Sequence, residues 1–438
     1  MSCPARQLIL KMRDPRFDGR GMAALAEKDE HRLFDLGVGA PGWAACPVGP
    51  GTADWAMRTA RHSGVFLLWL TAACGSKTPA VPGSGPTVAR LDSLPLAAPD
   101  SLESFLPLRT HVVSANGEVF LETGTALLHF DPRGRLMGAM GRPGRGPGEF
   151  VRISTIVLLP GDSLIGAVDA RRGRIVIFGA VDHQLRREAP MNPVFFPGSQ
   201  WVLAGNRVVF GTKLSPEPFT SWFPDTDSLR RWGAAPPIFS RSLTAYSQGG
   251  EPSLAPYEDG WIALFPGDGA LHRVGQDGAP LGIVPMPVRR RLGVPADLAE
   301  QVAAISASGR FRYAASLALG LHRLADGRYL VIHLDADAEV KSDAADGAAS
   351  VIYSNVRYWA SLVSADLARA CVDSPVPFET DNILPPYFHG DILTFLSRDL
   401  DGSGRLRTVL HSYRVGDAGC DWVATGGVRA PPGLAAGR

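Results

Sequence analysis

Beyond residue 106 the chain alternates short apolar runs with breaks rich in Gly, Asp and Pro. Glu118–Leu121, Leu127–Phe130, Ile156–Leu159, Ile175–Phe178, Val202–Phe210, Trp261–Phe265, Tyr329–His333 and Leu393–Ser397 are rich in Val, Ile, Phe and Trp. Turn formers such as Pro160-Gly161-Asp162 bound them. This pattern predicts strands and an all-β chain. One stretch departs from it. Pro295–Ile305 carries helix formers, a proline near its start, and apolar residues at Leu298, Val302 and Ile305. It predicts a helix, and Phe311–Leu319 is a second candidate, so a small helical insertion is expected over 295–319.

The strands recur as one unit: an apolar strand, a turn holding Asp or Gly, and a second strand. Phe130 to Leu136 is the clearest copy, and related hairpins begin at Phe178, Phe223, Val274, Val363 and Val415. The successive gaps are 48, 45, 51, 89 and 52 residues. Propeller blades repeat at about 40–50 residues, so the long gap holds one blade plus the insertion. Six anchors predict a six-bladed β-propeller over residues 107–428, closed into a ring that leaves no long strand edge unpaired. A double β-sandwich and a seven-bladed ring are the rival readings.

The N-terminal part reads differently. Residues 1–56 hold seven basic and seven acidic residues with no sustained period, and are expected to be a disordered upstream extension. A genuine N-terminal domain is the rival. Met57–His62 is a basic start, Val65–Ala73 an apolar core, and Cys74 follows small residues. This is the order of a secretory signal over 57–73. Nine apolar residues are too few to span a bilayer, which takes about 20. Residues 74–106, opening on a Gly/Ser/Pro/Thr tract, are then expected to be a flexible tether.

Composition sharpens this picture in two ways. The 49 glycines and 36 prolines of the 438 residues are the turn chemistry of a many-stranded protein. The 44 Lys+Arg nearly balance the 43 Asp+Glu, and after residue 73 the balance is 35 to 36. No electrostatic case for nucleic acid or anionic lipid remains. Only five of the basic residues are lysines, a bias expected of a GC-rich coding sequence rather than of an arginine-built site.

Two resemblances follow from particular residues. Thr71-Ala72-Ala73-Cys74 resembles a bacterial lipobox, although Leu70 sits one place further upstream than the usual leucine. The likeness implies diacylation of Cys74 and a membrane anchor in the cell envelope, periplasmic or on the outer membrane. A plain secretory signal or a buried apolar segment is the alternative. Gly141 to Phe150, followed by Asp169-Ala170-Arg171-Arg172-Gly173-Arg174-Ile175-Val176-Ile177-Phe178, resembles the NHL-repeat-like six-bladed propellers, many of them bacterial lipoproteins. The motif is full only in residues 127–186. It supports the fold and says little about chemistry.

The glycine-rich linker lacks a following Lys-Ser/Thr, which excludes a P-loop. Its expected role is a structural corner, with Phe150 plugging between blades and Glu149 accepting backbone N–H groups. Arg145, Glu149, Asp169 and Arg174 are the candidate ligand-binding residues if it is more than that. Asp169 and Arg174 are otherwise expected to pair within the blade. No His-Glu-x-x-His, Cys-x-x-Cys or Gly-x-Ser-x-Gly motif occurs, and no catalytic or metal-ligating set is assigned. Asp335–Glu339 and Asp399–Gly404 offer oxygens suited to Ca²⁺ but match no calcium loop, and His389-Gly390-Asp391 reads as a turn. The run Arg289–Arg291 reads as an exposed face. Cys371 and Cys420 either pair or stay as buried thiols.

The sequence thus favours a lipid-anchored, monomeric binding module without a cofactor, recognising an unspecified protein or small molecule through the ring mouth and the insertion. The alternative is a metal-dependent, lactonase-like hydrolase at the channel mouth. It requires acidic or Asn side chains converging on the axis.

Overall fold

The computed structural model of the chain describes residues 85–98, 110–191, 197–212, 216–237, 251–294, 310–342, 349–380 and 384–430. The expected extension and signal, Cys74, and residues 295–309 of the expected insertion lie outside them.

The first strand, β1, is Thr87–Leu96. Blade 1 contains β2 (His111–Val113), β3 (Val119–Glu122), β4 (Leu127–Phe130) and β5 (Leu136–Met140). Two short linker strands, β6 (Arg142–Pro143) and β7 (Glu149–Phe150), pair in parallel. Blade 2 is β8 (Ile153–Leu158), β9 (Leu164–Asp169), β10 (Arg174–Gly179) and β11 (Leu185–Pro190). Blade 3 is β12 (Pro197–Ala204), β13 (Arg207–Thr212), β14 (Phe219–Phe223) and β15 (Ser228–Trp232). Blade 4 is β16 (Ser253–Tyr257), β17 (Gly260–Leu264), β18 (Ala270–Val274) and β19 (Pro280–Pro285). Blade 5 has the long strands β20 (Arg310–Arg323), β21 (Tyr329–Ser342), β22 (Ala349–Val363) and β23 (Arg369–Glu379). Blade 6 is β24 (Tyr387–His389), β25 (Ile392–Leu400) and β26 (Leu406–Gly416), completed by β1 as its outer strand. A last strand, β27 (Val423–Ala424), adds to the outer edge of blade 5.

The sheets close into a ring of six blades. Each of six apolar clusters joins two consecutive blades. Phe120 and Met140 meet Ile156 and Phe178; Ile175 and Ile177 meet Phe210 and Trp222; Phe219 and Trp232 meet Trp261 and Phe265. Ile262 and Leu264 then meet Val331 and Val363, and Tyr358 and Phe378 meet Phe395 and Tyr413. Leu396 and Leu410 of blade 6 close the circle on Leu121 and Phe130 of blade 1. Strands in the middle of a blade are packed on both faces. This is why β10 and β17 are buried at every position and read as unbroken apolar runs, while outer strands such as β15 alternate.

All six repeat anchors fall at or next to the end of a blade's third strand, and in blades 1 to 5 the chain turns there into the fourth. The repeated Asp has a physical cause there. Asp131, Asp182, Asp277 and Asp366 each accept, through Oδ1, a backbone N–H two residues on, which fixes the turn.

Three expectations are corrected. Residues 87–96, assigned to the tether, form β1, hydrogen-bonded along β26 from Thr87↔Gly416 to Leu96↔Thr408. Val415 to Cys420 therefore does not start a hairpin, because the N-terminus supplies that partner strand and spares β26 an open edge. Phe311–Leu319 lies in β20 rather than in a helix. Its Phe, Tyr and Leu residues satisfy a strand as well as a helix, and pairing along the whole of β21 decides between them.

Candidate functional site

The first strands of the blades line the axis. Between them lies a cavity of about 590 Å³, with Val112, Leu158, Leu254, Ala255, Leu321 and Phe388 among its apolar walls. Every blade contributes. Polar groups enter at a few points: Gln200, Trp201, His322 and Tyr387. The cavity reaches the face formed by the turns between first and second strands, where Asp162, Leu203, Arg323 and Ala325 line it. Such a mixture of apolar wall and a few directed polar groups is the make-up of a small-molecule site.

The polar groups are held from behind. Gln200 of blade 3 grips the backbone of Leu321 in blade 5, donating through Nε2 to its carbonyl and accepting its N–H at 3.3 Å. His322 stacks on Phe388 at 4.9 Å and shares a 2.7 Å hydrogen bond with the carbonyl of Gly390. Burial lowers its pKa, so its neutral form is favoured. The Tyr387 hydroxyl lies 3.5 Å from the Val113 carbonyl, and burial raises its pKa. Asp162 accepts the Ala115 N–H at 2.6 Å and Asp391 accepts the Ala325 N–H at 3.0 Å. These contacts tie neighbouring blades at the rim. Among the described residues, no group of three or more His, Cys, Asp or Glu side chains is arranged to hold a metal ion.

The residues singled out in the sequence lie elsewhere, in and behind the Gly141–Phe150 linker. Gly141 has φ +74°, and a Cβ there would lie 2.4 Å from the Phe150 ring, so glycine is required on both counts. Glu149 accepts the Gly146 N–H at 2.6 Å and pairs with Arg142 at 2.9 Å, and these contacts lower its pKa. Asp169, fully buried, accepts the N–H groups of Val151 at 3.0 Å and Arg152 at 3.3 Å. Arg174 donates to the carbonyls of Glu149 and Gly146 and forms an ion pair with Glu188. Asp169 and Arg174 face each other in register, yet each is used on the linker rather than on its neighbour. Arg145 is exposed.

The remaining candidates are also placed. Asp401 caps its own turn through the N–H groups of Ser403 and Arg405, both at 2.9 Å. Cys371 and Cys420 are joined in a disulfide with Cα atoms 5.6 Å apart. The arginine run is not a solvated face throughout. Arg291 is buried, its Nε 3.2 Å from Oδ1 of the fully buried Asp373, whose Oδ2 accepts the N–H groups of Arg289 and Arg290. Asp335 is buried beside them and accepts from Ser316, from Leu292 N–H at 3.1 Å and from Trp359 Nε1 at 2.7 Å. Its pKa is raised by burial against the lowering effect of those donors.

No protein-family profile matches the chain, and no curated protein matches it. Among solved structures it is similar to a protein described as exported, from Bacteroides fragilis: 13% identity, 75% of this chain and 95% of that one, TM-score 0.49. A DUF4221 family member from Bacteroides vulgatus gives 10% identity over 76% of this chain and 99% of that one, TM-score 0.49. The β-propeller domain of Cps50 (Swd1) from Myceliophthora thermophila gives 7% identity, 74% and 99% coverage and a TM-score of 0.39. The ring itself rests on the strand order and the six inter-blade clusters. Among the described residues no helix is long and apolar enough to cross a membrane.

Proposed function

We propose that the protein is an extracytoplasmic, lipid-anchored binding module that takes a small, largely apolar organic molecule with a few hydrogen-bonding groups into the axial cavity. The observation that carries this reading is the cavity lining: six inner strands converge on one space whose walls are apolar and whose polar groups are held in place by other blades. A lactonase-like site would need carboxylate and amide oxygens converging on a cation. The axis instead presents Gln200, Trp201, His322 and Tyr387, and its acid at the rim, Asp162, is engaged by Ala115. The secretory pattern before Cys74 supports the compartment, and a disulfide between Cys371 and Cys420 suits an oxidising one.

The anchor and the cavity are close in the chain. Eleven residue steps lead from Cys74 to Gly85, a reach of about 40 Å at most. β1 then enters the ring on the face that the cavity reaches, since Thr87 pairs with Gly416 next to the β24–β25 turn. An acylated Cys74 would keep that face near the membrane.

A ligand-observed NMR screen with a small-molecule library tests the site. Hits should bind the native chain and be lost in Leu203→Trp, which blocks the rim at a half-exposed position. Hits insensitive to that change, or none at all, would refute the axial site. Cys74→Ala should release the protein from membranes, and unchanged retention would refute the anchor.

A further inference from the structure

A second cavity, of about 600 Å³, lies apart from the axis between blades 5 and 6. Its existence is written in two strand irregularities. In blade 5, Arg357 pairs with Glu379 and Trp359 with Pro375, so four residue steps of β23 face two of β22. The residues between those two pairs, Val376-Pro377-Phe378, swing out of the ladder, and Pro377 has no N–H to give back to it. In blade 6, β1 shifts register between Arg90 and Asp92. Bulges re-aim side chains, and here Arg90 is brought onto His411. The bulged loop is pinned open rather than free, because the Tyr413 hydroxyl donates to the Pro377 carbonyl at 3.0 Å and Phe378 stacks on Phe395 at 4.6 Å.

The chemistry of the cleft follows from its walls. Arg90 and Arg357 stand at it, both exposed. Among the described residues Arg357 has no acidic partner, and Arg90 is hydrogen-bonded to an imidazole rather than a carboxylate. Trp359 is half-buried, with its Nε1 fixed on Asp335, and flanks the exposed rings of Pro375 and Pro377. The one acid of the lining, Asp399, accepts from Ser397 Oγ at 2.6 Å.

Ser397, His411 and Asp399 share the composition of a hydrolytic triad, but their wiring is not that of a nucleophile. A guanidinium can only donate, so Arg90 makes Nδ1 of His411 the acceptor and places the proton on Nε2. That N–H donates to Ser397 Oγ at 2.6 Å, and Ser397 donates onward to Asp399. An Nε2 that carries the proton cannot remove one from the serine. The chain of hydrogen bonds instead holds Arg90 in place at the cleft wall.

We propose that this cleft binds a small aromatic carboxylate, its carboxylate held by Arg90 and Arg357 and its ring laid against Trp359, Pro375 and Pro377. Guanidinium forks match a carboxylate, flat apolar walls match a planar ring, and the volume suits a molecule of that size.

Titration calorimetry with indole-3-carboxylate, indole and inorganic phosphate tests it on the folded chain. Saturable binding of indole-3-carboxylate is expected, weakened about tenfold in Arg357→Gln, with indole and phosphate each binding at least about tenfold more weakly than the whole molecule. Arg357 is exposed, so this variant should keep its thermal midpoint, and Arg90→Gln gives an independent second readout. No saturation up to about 1 mM, equal binding by phosphate alone, or binding unchanged in both variants would overturn the proposal. Loss of axial ligands in Leu203→Trp with this binding intact would separate the two sites.

Discussion

Blades 2 and 5 follow the same four-stranded plan and use their polar residues in opposite ways. In blade 2 the charged groups brace the chain itself: Asp169, Arg174 and Glu149 hold the glycine linker that brings blade 1 to blade 2. The conspicuous motif is thus a corner, with little left over for a ligand. Blade 5 has no such motif. It buries Arg291 with Asp373 and Asp335, runs three strands to 14 or 15 residues, and breaks its fourth strand into a bulge that opens a cleft. Regular use of polar groups closes a blade, and irregular strands leave room for chemistry.

The largest effect that tests this contrast is expected at the buried pair. Asp373→Asn takes from the buried Arg291 its close carboxylate partner and leaves only the more weakly placed Asp335, and should cost about 3–5 kcal/mol in chemical denaturation. Asparagine tolerates the φ of +63° at this position, so backbone strain does not confound the result. Replacing both partners by apolar residues should recover much of the loss; a single variant near neutral would mean that blade 5 does not depend on the pair.

Acid should act next. Burial pushes His111 down to about 3 and His333 well below its ordinary value, so the unfolded chain takes up more protons than the folded one. Stability should therefore fall as pH drops from about 6.5 towards 3, by an amount on the order of a few kcal/mol. His111→Gln should flatten that slope, and an unchanged slope would remove His111 from the account. Cutting the disulfide with Cys420→Ser, which opens a loop of 49 residues between blade 5 and the C-terminal strand, should cost about 2–4 kcal/mol. In blade 2, Asp169→Ala strands two backbone N–H groups and should cost about 2 kcal/mol while leaving ligand binding unaltered. The smallest effect is expected at Arg142→Ala, since its guanidinium is exposed to solvent: below about 1 kcal/mol.

Much of the ring was legible because it is local. Turns such as Asp131 to Arg135 repeat with their cause inside five residues, and the middle strands read as apolar runs because both their faces are packed. Long-range facts were not legible. Nothing in Thr87–Leu96 alone says that it pairs with Leu406–Gly416, some three hundred residues on, so it read as tether. Phe311–Leu319 suits either a helix or a strand until β21 is placed beside it. Arg291 looked like one more surface arginine because its partner, Asp373, lies on β23, far along the chain from the segment that follows β19. The axial lining was equally hidden: Gln200, His322 and Tyr387 are ordinary residues that matter because six strands converge on one axis. The glycine linker gave the reverse lesson, a strong local signal whose residues the fold uses up.

The central claim is that the axial cavity is where the protein binds its ligand. Hydrogen exchange with and without an axial hit tests it most directly. The account predicts slowed exchange in the inner strands around Gln200–Leu203, Ser253–Tyr257 and Leu321–Leu324, with the Gly141–Phe150 linker unchanged. Protection confined to the linker, or to the outer strands alone, would contradict it.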